Sequence, residues 1–95
     1  MGAEIFDWDE DNLRHIAEHG VTAEETEQVL LNDPADGGVQ NHEGEERYVE
    51  VGITDALRVL VVITTNREDL IRVVTAYDAS AALRDLYFRR KGQRP

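Results

Sequence analysis

Three apolar runs follow one another between Glu45 and Tyr77 with only a few polar residues between them, and no other stretch constrains the fold as strongly. In the first run Arg47, Val49, Val51 and Ile53 alternate with Tyr48, Glu50 and Gly52, the period of two that sends alternate side chains of a strand to one face of a sheet. The second, Leu57 to Ile63, reads LRVLVVI, nearly all apolar and β-branched, as a central strand covered on both faces requires. Asn66-Arg67-Glu68-Asp69 supplies turn-forming residues before the third run, Leu70 to Tyr77. Connections this short join antiparallel neighbours. A three-stranded antiparallel β-meander is therefore expected at the centre of the molecule.

The flanks carry helix signals. Ile5-Phe6-Asp7-Trp8 reads as a brief edge strand. Asp7 or Asp9 then caps a helix to about His19, with Asp9, Glu10 and Asp11 where the helix dipole favours negative charge. Gly20 is placed to end it in the left-handed conformation. Thr22-Ala23-Glu24-Glu25 is a capping box for a second helix, Ala23 to about Asn32, stopped by Asp33-Pro34. Residues 35–44, ADGGVQNHEG, hold three glycines and no apolar period and read as an exposed connection. Asp78 or Ser80 caps a last helix, Ala81 to about Arg90, with Leu83, Leu86 and Tyr87 on one side; residues 92–95 are expected to be disordered. The expected architecture is a single α+β domain over residues 1–95 in the order βαα-βββ-α, an antiparallel meander sheet packed with helices.

Ninety-five residues suit one hydrophobic core and not two. The absence of cysteine excludes disulfides, a thiolate nucleophile and a cysteine-ligated zinc site. The opening MGAEIFDWDED has neither a basic region nor an apolar stretch, and no apolar run approaches the roughly 18 residues of a membrane-spanning helix. A cytoplasmic protein without membrane attachment is expected. The net charge of −10 opposes broad attraction to nucleic acid or anionic lipid. It is unevenly spread, however. Residues 1–50 carry 15 acidic and 2 basic side chains, net −13, and residues 51–95 carry 5 acidic and 8 basic ones, net +3. The positive charge of the second half is either a local basic face or a set of solvated helix ends and a tail.

Several constellations could carry chemistry. Asp7, Asp9, Asp11 and Glu18 have calcium-loop spacing, with Asn12 where that pattern wants glycine. The loop needs a preceding helix, and Arg14 stands where an apolar residue belongs, so an acidic helix start is the better reading. His15 and His19, four apart, share a helical face, but no third ligand and no H-E-x-x-H pattern accompanies them, so no metal is expected. His19 could equally serve the helix C-terminus through the dipole. No phosphate loop, nucleophile elbow or dinucleotide motif occurs, and no cofactor is expected. Arg47, Arg58 and Arg72 each interrupt an apolar strand, and an arginine is retained there only if its head reaches water or an anion. They are either ion-paired to carboxylates such as Glu46, Glu50 and Asp55 or free to hold a phosphodiester, with a histidine and a tyrosine moving protons as metal-free RNA cleavage requires. A turn at Thr54 to Leu57 that pairs Ile53 with Arg58 would set Arg47 and Arg58 on one side, with Tyr77 across from Arg58 and Arg72 on the opposite face.

Trp8-Asp9-Glu10, His19-Gly20-Val21-Thr22-x-Glu24-Glu25, Asp33-Pro34, Gly44-Glu45-Glu46-Arg47-Tyr48, Leu60-Val61-Val62 and Ile71-Arg72-Val73-Val74-Thr75-Ala76 occur in this order. Over residues 5 to 88 the set resembles the BrnT toxins of type II toxin–antitoxin systems. The resemblance implies a RelE-like fold and a small bacterial ribonuclease that blocks translation without metal or cofactor. It also implies a cognate DNA-binding antitoxin that neutralises the toxin and represses the operon, so direct DNA binding by this chain is not expected. His19, Arg47, Arg58 and Arg72 are the matching positions: Arg47, Arg58 and Arg72 for RNA binding, and His19, Arg58, Arg72 and Tyr77 for catalysis, His19 as acid or base. Tyr77 stands where family members commonly carry an arginine and Glu18 where they carry a basic residue, so Tyr77 would act as a substitute hydrogen-bond donor. The alternative is a non-catalytic relative, a binding module that keeps the fold and a protein partner. The antitoxin is expected to contact the basic C-terminal half, the surface RNA would use.

Overall fold

The structure is a computed structural model that describes residues 5–92. Helix α1 (Glu10–Ala17) starts at a reciprocal cap. The Asp9 carboxylate accepts from the Asn12 N–H at 3.1 Å, and the Asn12 side-chain oxygen accepts from the Asp9 N–H at 2.7 Å. Asn12, the residue that spoiled the calcium-loop pattern, is buried and also donates from Nδ2 to the carbonyls of Asp7 and Val73. It ties the helix start to the sheet. The helix ends two residues earlier than expected. Gly20, at φ 73°, lets its own N–H reach the Ala17 carbonyl while the Val21 N–H reaches that of Ile16, and Val21 and Ile16 bury together.

Helix α2 (Ala23–Leu31) begins at the Thr22–Glu25 capping box, as its sequence implies. Four strands follow: β1 (Ala35–His42), β2 (Glu45–Ile53), β3 (Val59–Arg67) and β4 (Leu70–Asp78). They form one antiparallel sheet in sequential order, and α3 (Ala81–Gly92) closes the described chain. The expected meander is β2-β3-β4. No helix among the described residues is long and apolar enough to cross a membrane.

Two expectations need correction. Residues 35–42 are not a connection but the edge strand β1, joined to β2 through Glu43 and Gly44, both at positive φ as a two-residue hairpin turn demands. Only Ala35 of β1 is even partly buried, so the strand has no apolar period to reveal it. Conversely, the anticipated first strand is a single parallel bridge from Phe6 to Ile71 on the free edge of β4. The anticipated disorder of residues 92–95 falls outside the described residues except for Gly92, which is the last residue of α3.

Strand β3 is buried on both faces. Leu60 and Val62 meet Ile16, Val21, Val29, Val73 and Ala76 under the first two helices. Val59, Val61 and Ile63 meet Val51, Val74, Leu83 and Tyr87 on the α3 side. Gly52 allows α2 to lie this close, because a Cβ there would stand 2.9 Å from Val29 Cγ1. At about 25 cal/mol per Å² of apolar surface, these two half-cores supply most of what holds the sheet to its helices.

Candidate functional site

The β2–β3 register differs from the expected one by a single residue, and the difference relocates the arginines. Leu57, at φ 70° and exposed, widens the turn; the Thr54 N–H donates to the Arg58 carbonyl at 2.8 Å, and Ile53 pairs with Val59 rather than with Arg58. A one-residue slip sends every side chain of a strand to the other face. Arg47 therefore lies with Arg72, not with Arg58. Thr65 pairs with Arg72, and Arg47 lies one step beyond the Tyr48–Thr64 pair, so the two arginines flank Thr65 across three strands. Tyr77 likewise sits across from Val61, not Arg58.

Arg47, Thr65 and Arg72 lie in an open cleft of about 560 Å³ whose other wall includes Asp11, Asn12 and His15 of α1. Arg67 and Glu45 stand at its margin. Each cleft guanidinium already faces a carboxylate. Arg47 Nε donates to Glu45 Oε1 at 2.9 Å. Arg72 Nη1 is 3.0 Å from Asp9 Oδ2 and 3.6 Å from Asp7 Oδ2, and Arg67 Nη1 is 3.9 Å from Asp7 Oδ2. The Arg72–Asp9 contact is an ion pair whose angle falls short of a hydrogen bond: Nη1 is buried and has no hydrogen-bond partner among the described residues. The Asn12 N–H and then the Arg72 guanidinium hold the Asp9 carboxyl below its usual range. The cleft thus offers cations that already carry anions, of which the Asp9 carboxylate on Arg72 is the less firmly matched.

Arg58 is arranged otherwise. It leaves the sheet on the α2 side and grips Asp78 with two hydrogen bonds, Nε to Oδ1 at 2.8 Å and Nη2 to Oδ2 at 3.1 Å. Its Nη1 donates to both oxygens of Glu25, at 3.1 and 3.0 Å, and to the Gly20 carbonyl at 2.9 Å. The Asp78 hydrogen bonds, with Glu25 behind them, push the guanidinium's affinity for its proton above normal despite partial burial. Burial alone would raise Glu25, but the Thr22 N–H and Arg58 outweigh it and hold that carboxyl low; Asp78 is held low by Arg58. One side chain fastens the start of α2, the end of α1 and the last residue of β4.

Between these two clusters runs a file of rings. Tyr77 and His19 lie 6.0 Å apart between centroids, and His19 and His15 lie 5.8 Å apart in an edge-on arrangement. His15 borders the cleft. Among the described residues no three His, Asp or Glu side chains converge as metal ligands would.

A family model described as "Ribonuclease toxin, BrnT, of type II toxin-antitoxin system" matches residues 8–82, more than three quarters of the chain. The chain belongs to the BrnT toxin family. No match is found among curated proteins. Membership implies an RNA substrate and an antitoxin partner, and the matched segment of this BrnT-family chain contains the whole cleft, the ring file and the Arg58 junction. Of the residues singled out from sequence, the fold brings Arg47 and Arg72 together, joins His19 to Tyr77, and sets Arg58 apart. His15 and Thr65 also line the cleft, though the sequence alone does not single them out for it. Thr65 could have been found only from the register. His15 carries a signal, its four-residue spacing from His19, which in sequence reads as a metal motif.

Proposed function

We propose that the chain is a metal-independent endoribonuclease toxin acting in the cytoplasm, and that the cleft of Arg47, Thr65, Arg72 and His15 is where RNA is cut. The observation that carries the proposal is the convergence of two arginines and an imidazole on one cleft. Cleavage within RNA needs a base to take the 2′-hydroxyl proton, cations to hold the phosphorane's negative charge, and an acid for the departing 5′-oxygen. The 2′-oxygen–phosphorus bond forms as the phosphorus–5′-oxygen bond breaks, leaving a 2′,3′-cyclic phosphate and a 5′-hydroxyl. Arg47 and Arg72 hold the phosphate, and His15 takes the 2′-hydroxyl proton and delivers it to the departing 5′-oxygen. His19 and Tyr77 extend this file along the surface, where they contact flanking nucleotides. Arg58, with its donors committed to Glu25, Asp78 and Gly20, is assigned to the architecture.

One feature favours the second reading, a non-catalytic binding module with the same fold: Asp9 and Glu45 already occupy the cations that RNA would need. An end-labelled single-stranded RNA incubated with the purified chain in the presence of EDTA separates the two. The nuclease reading expects cyclic-phosphate termini, lost on His15→Ala or Arg72→Ala. Intact RNA at stoichiometric protein, together with unimpeded growth of bacteria expressing the chain alone, leaves the binding module standing.

A further inference from the structure

Among the described residues, Arg14, Arg47, Arg58, Arg67, Arg72 and Lys91 all face a carboxylate. No such pair involves Arg84, Arg89 or Arg90, and all three lie on α3. On a chain of net charge −10 these are, among the described residues, the cations left open to an outside anion. They accompany an apolar groove. Helix α3 touches the sheet through Tyr87 and Leu83, and between it and the β1–β2 edge opens a hollow of about 270 Å³ bordered by Leu83, Leu86, Tyr87, Val51 and Arg90. Leu86 remains 43% exposed and Phe88 47%, so the apolar surface continues outside the hollow.

The size decides what kind of occupant fits. Pockets for small ligands run from about 300 to 1,000 Å³ and enclose most of the molecule. This hollow is smaller and open, which suits one or two apolar side chains of a protein partner used as anchors. At helical spacing Arg90 shares the stripe of Leu83, Leu86 and Tyr87, and Arg89 adjoins Leu86 on its outer side. Arg84 is rotated away from the hollow. The opposite rim carries Asp36, whose Oδ1 accepts from the Gly38 N–H at 2.8 Å, so the rim is cationic on the helix side only.

We infer that the α3 groove is a docking surface for a partner protein's acidic amphipathic segment, with apolar side chains seated between Leu83, Leu86 and Val51 and carboxylates on Arg89 and Arg90. RNA would use the arginines but leave the apolar hollow empty. The family match ends at residue 82, so the groove's helical wall lies beyond the matched segment, and the surface is argued from this chain alone.

The test uses the full chain, labelled with nitrogen-15, and a synthetic peptide of about 16 residues, long enough to hold a helix when docked, with leucine at helical spacing and glutamate elsewhere. Saturable amide shifts are expected at Gly37, Val51 and Leu83 to Arg90. The double variant Arg89→Glu/Arg90→Glu is expected to weaken binding about tenfold, while Arg84→Glu changes it less than about threefold. All three substitutions are of exposed side chains, and the same spectra report that the variants remain folded. Equal losses in Arg84→Glu and in the double variant would reduce the effect to general charge and overturn the assignment. So would shifts confined to the cleft around Arg72, or an absence of saturation up to about millimolar peptide. An oligouridylate producing the same α3 shifts, lost in the double variant, would reassign the surface to RNA.

Discussion

The cleft and the Arg58 junction are both arginines meeting carboxylates on one small sheet, yet they are built for opposite ends. Arg58 has five donor contacts of 2.8 to 3.1 Å, reaching carboxylates on α2 and β4 and a carbonyl in the α1–α2 connection. Arg72 has ion pairs of 3.0 and 3.6 Å and a buried nitrogen with no hydrogen bond among the described residues. A guanidinium fork that is fully matched cannot take a substrate phosphate without dismantling its surroundings. An incompletely matched one next to a cleft can exchange its carboxylate for a phosphate. The two sites differ in saturation more than in composition.

Arg72→Ala sharpens the contrast most. RNA cleavage should fall by about 10²- to 10³-fold, as when one donor to a developing anion is removed, while the thermal midpoint hardly moves. A variant that unfolded instead would erase the distinction, because Arg72 would then be doing what Arg58 does. Single-turnover cleavage and a melting curve on the same preparation give both numbers.

Arg58→Ala is the converse. It strands Glu25 and Asp78 and releases the junction of α1, α2 and β4. Breaking a fully buried pair costs about 3–5 kcal/mol; here the Asp78 side chain is 61% exposed, and water screens part of the loss, so about 2 kcal/mol is expected. For a domain of this size that lowers the melting temperature by roughly 10 °C. Arg58→Lys should recover little, since an ammonium cannot reproduce the two-pronged contact with Asp78. Glu25 and Asp78 both have depressed pKa values in the fold, so their contribution is complete above the ordinary carboxylate range and disappears as pH falls through the folded values. The stability gap between wild type and Arg58→Ala should therefore stay constant from pH 7 to 5 and close below about pH 4. A gap that persisted in acid would mean that Arg58 acts through packing of its stem.

Asp9→Asn probes the cleft from its anionic side. Asparagine caps a helix about as well as aspartate, so the start of α1 is preserved while the charge on Arg72 is released. RNA affinity should rise about threefold to tenfold at low salt, and the rise should shrink as salt is added. Filter binding across a salt series measures it. Unchanged affinity would show that Asp9 is not the anion RNA displaces.

The same contrast explains what could be read from the chain directly. The three central strands, the Thr22–Glu25 capping box and the Gly20 stop were legible because period, cap chemistry and left-handed glycine are local properties. Strand β1 was not, since backbone hydrogen bonding holds it and its side chains face water. The arginines themselves were legible as anomalies in apolar strands, but their grouping was not. It depends on Leu57 at positive φ, which widens one turn by a residue and sets Arg47 and Arg58 on opposite faces. Whether a charged residue in a strand is structural or functional is decided by partners far away in sequence, such as Glu25 for Arg58, 33 residues apart.

Glu50 supplies the smallest test, one on neither arginine cluster. It pairs across the β1–β2 hairpin with Asp36, and its carboxyl is pushed above the usual range, first by burial and then by the Asp36 charge. Its sign is opposite to that of Glu25. A raised folded pKa means that the ionised form is disfavoured by folding, so the penalty is present at neutral pH and vanishes as pH falls below the unfolded value. Glu50→Gln should stabilise the protein by about 0.5 kcal/mol at pH 7, a figure kept small by solvent screening, and by nothing at about pH 4. Denaturant midpoints at the two pH values measure the difference. If the gain were the same at both, it would come from the hairpin's packing rather than from charge, and the acidic half of the chain would be less strained by its own repulsion than its carboxylates imply.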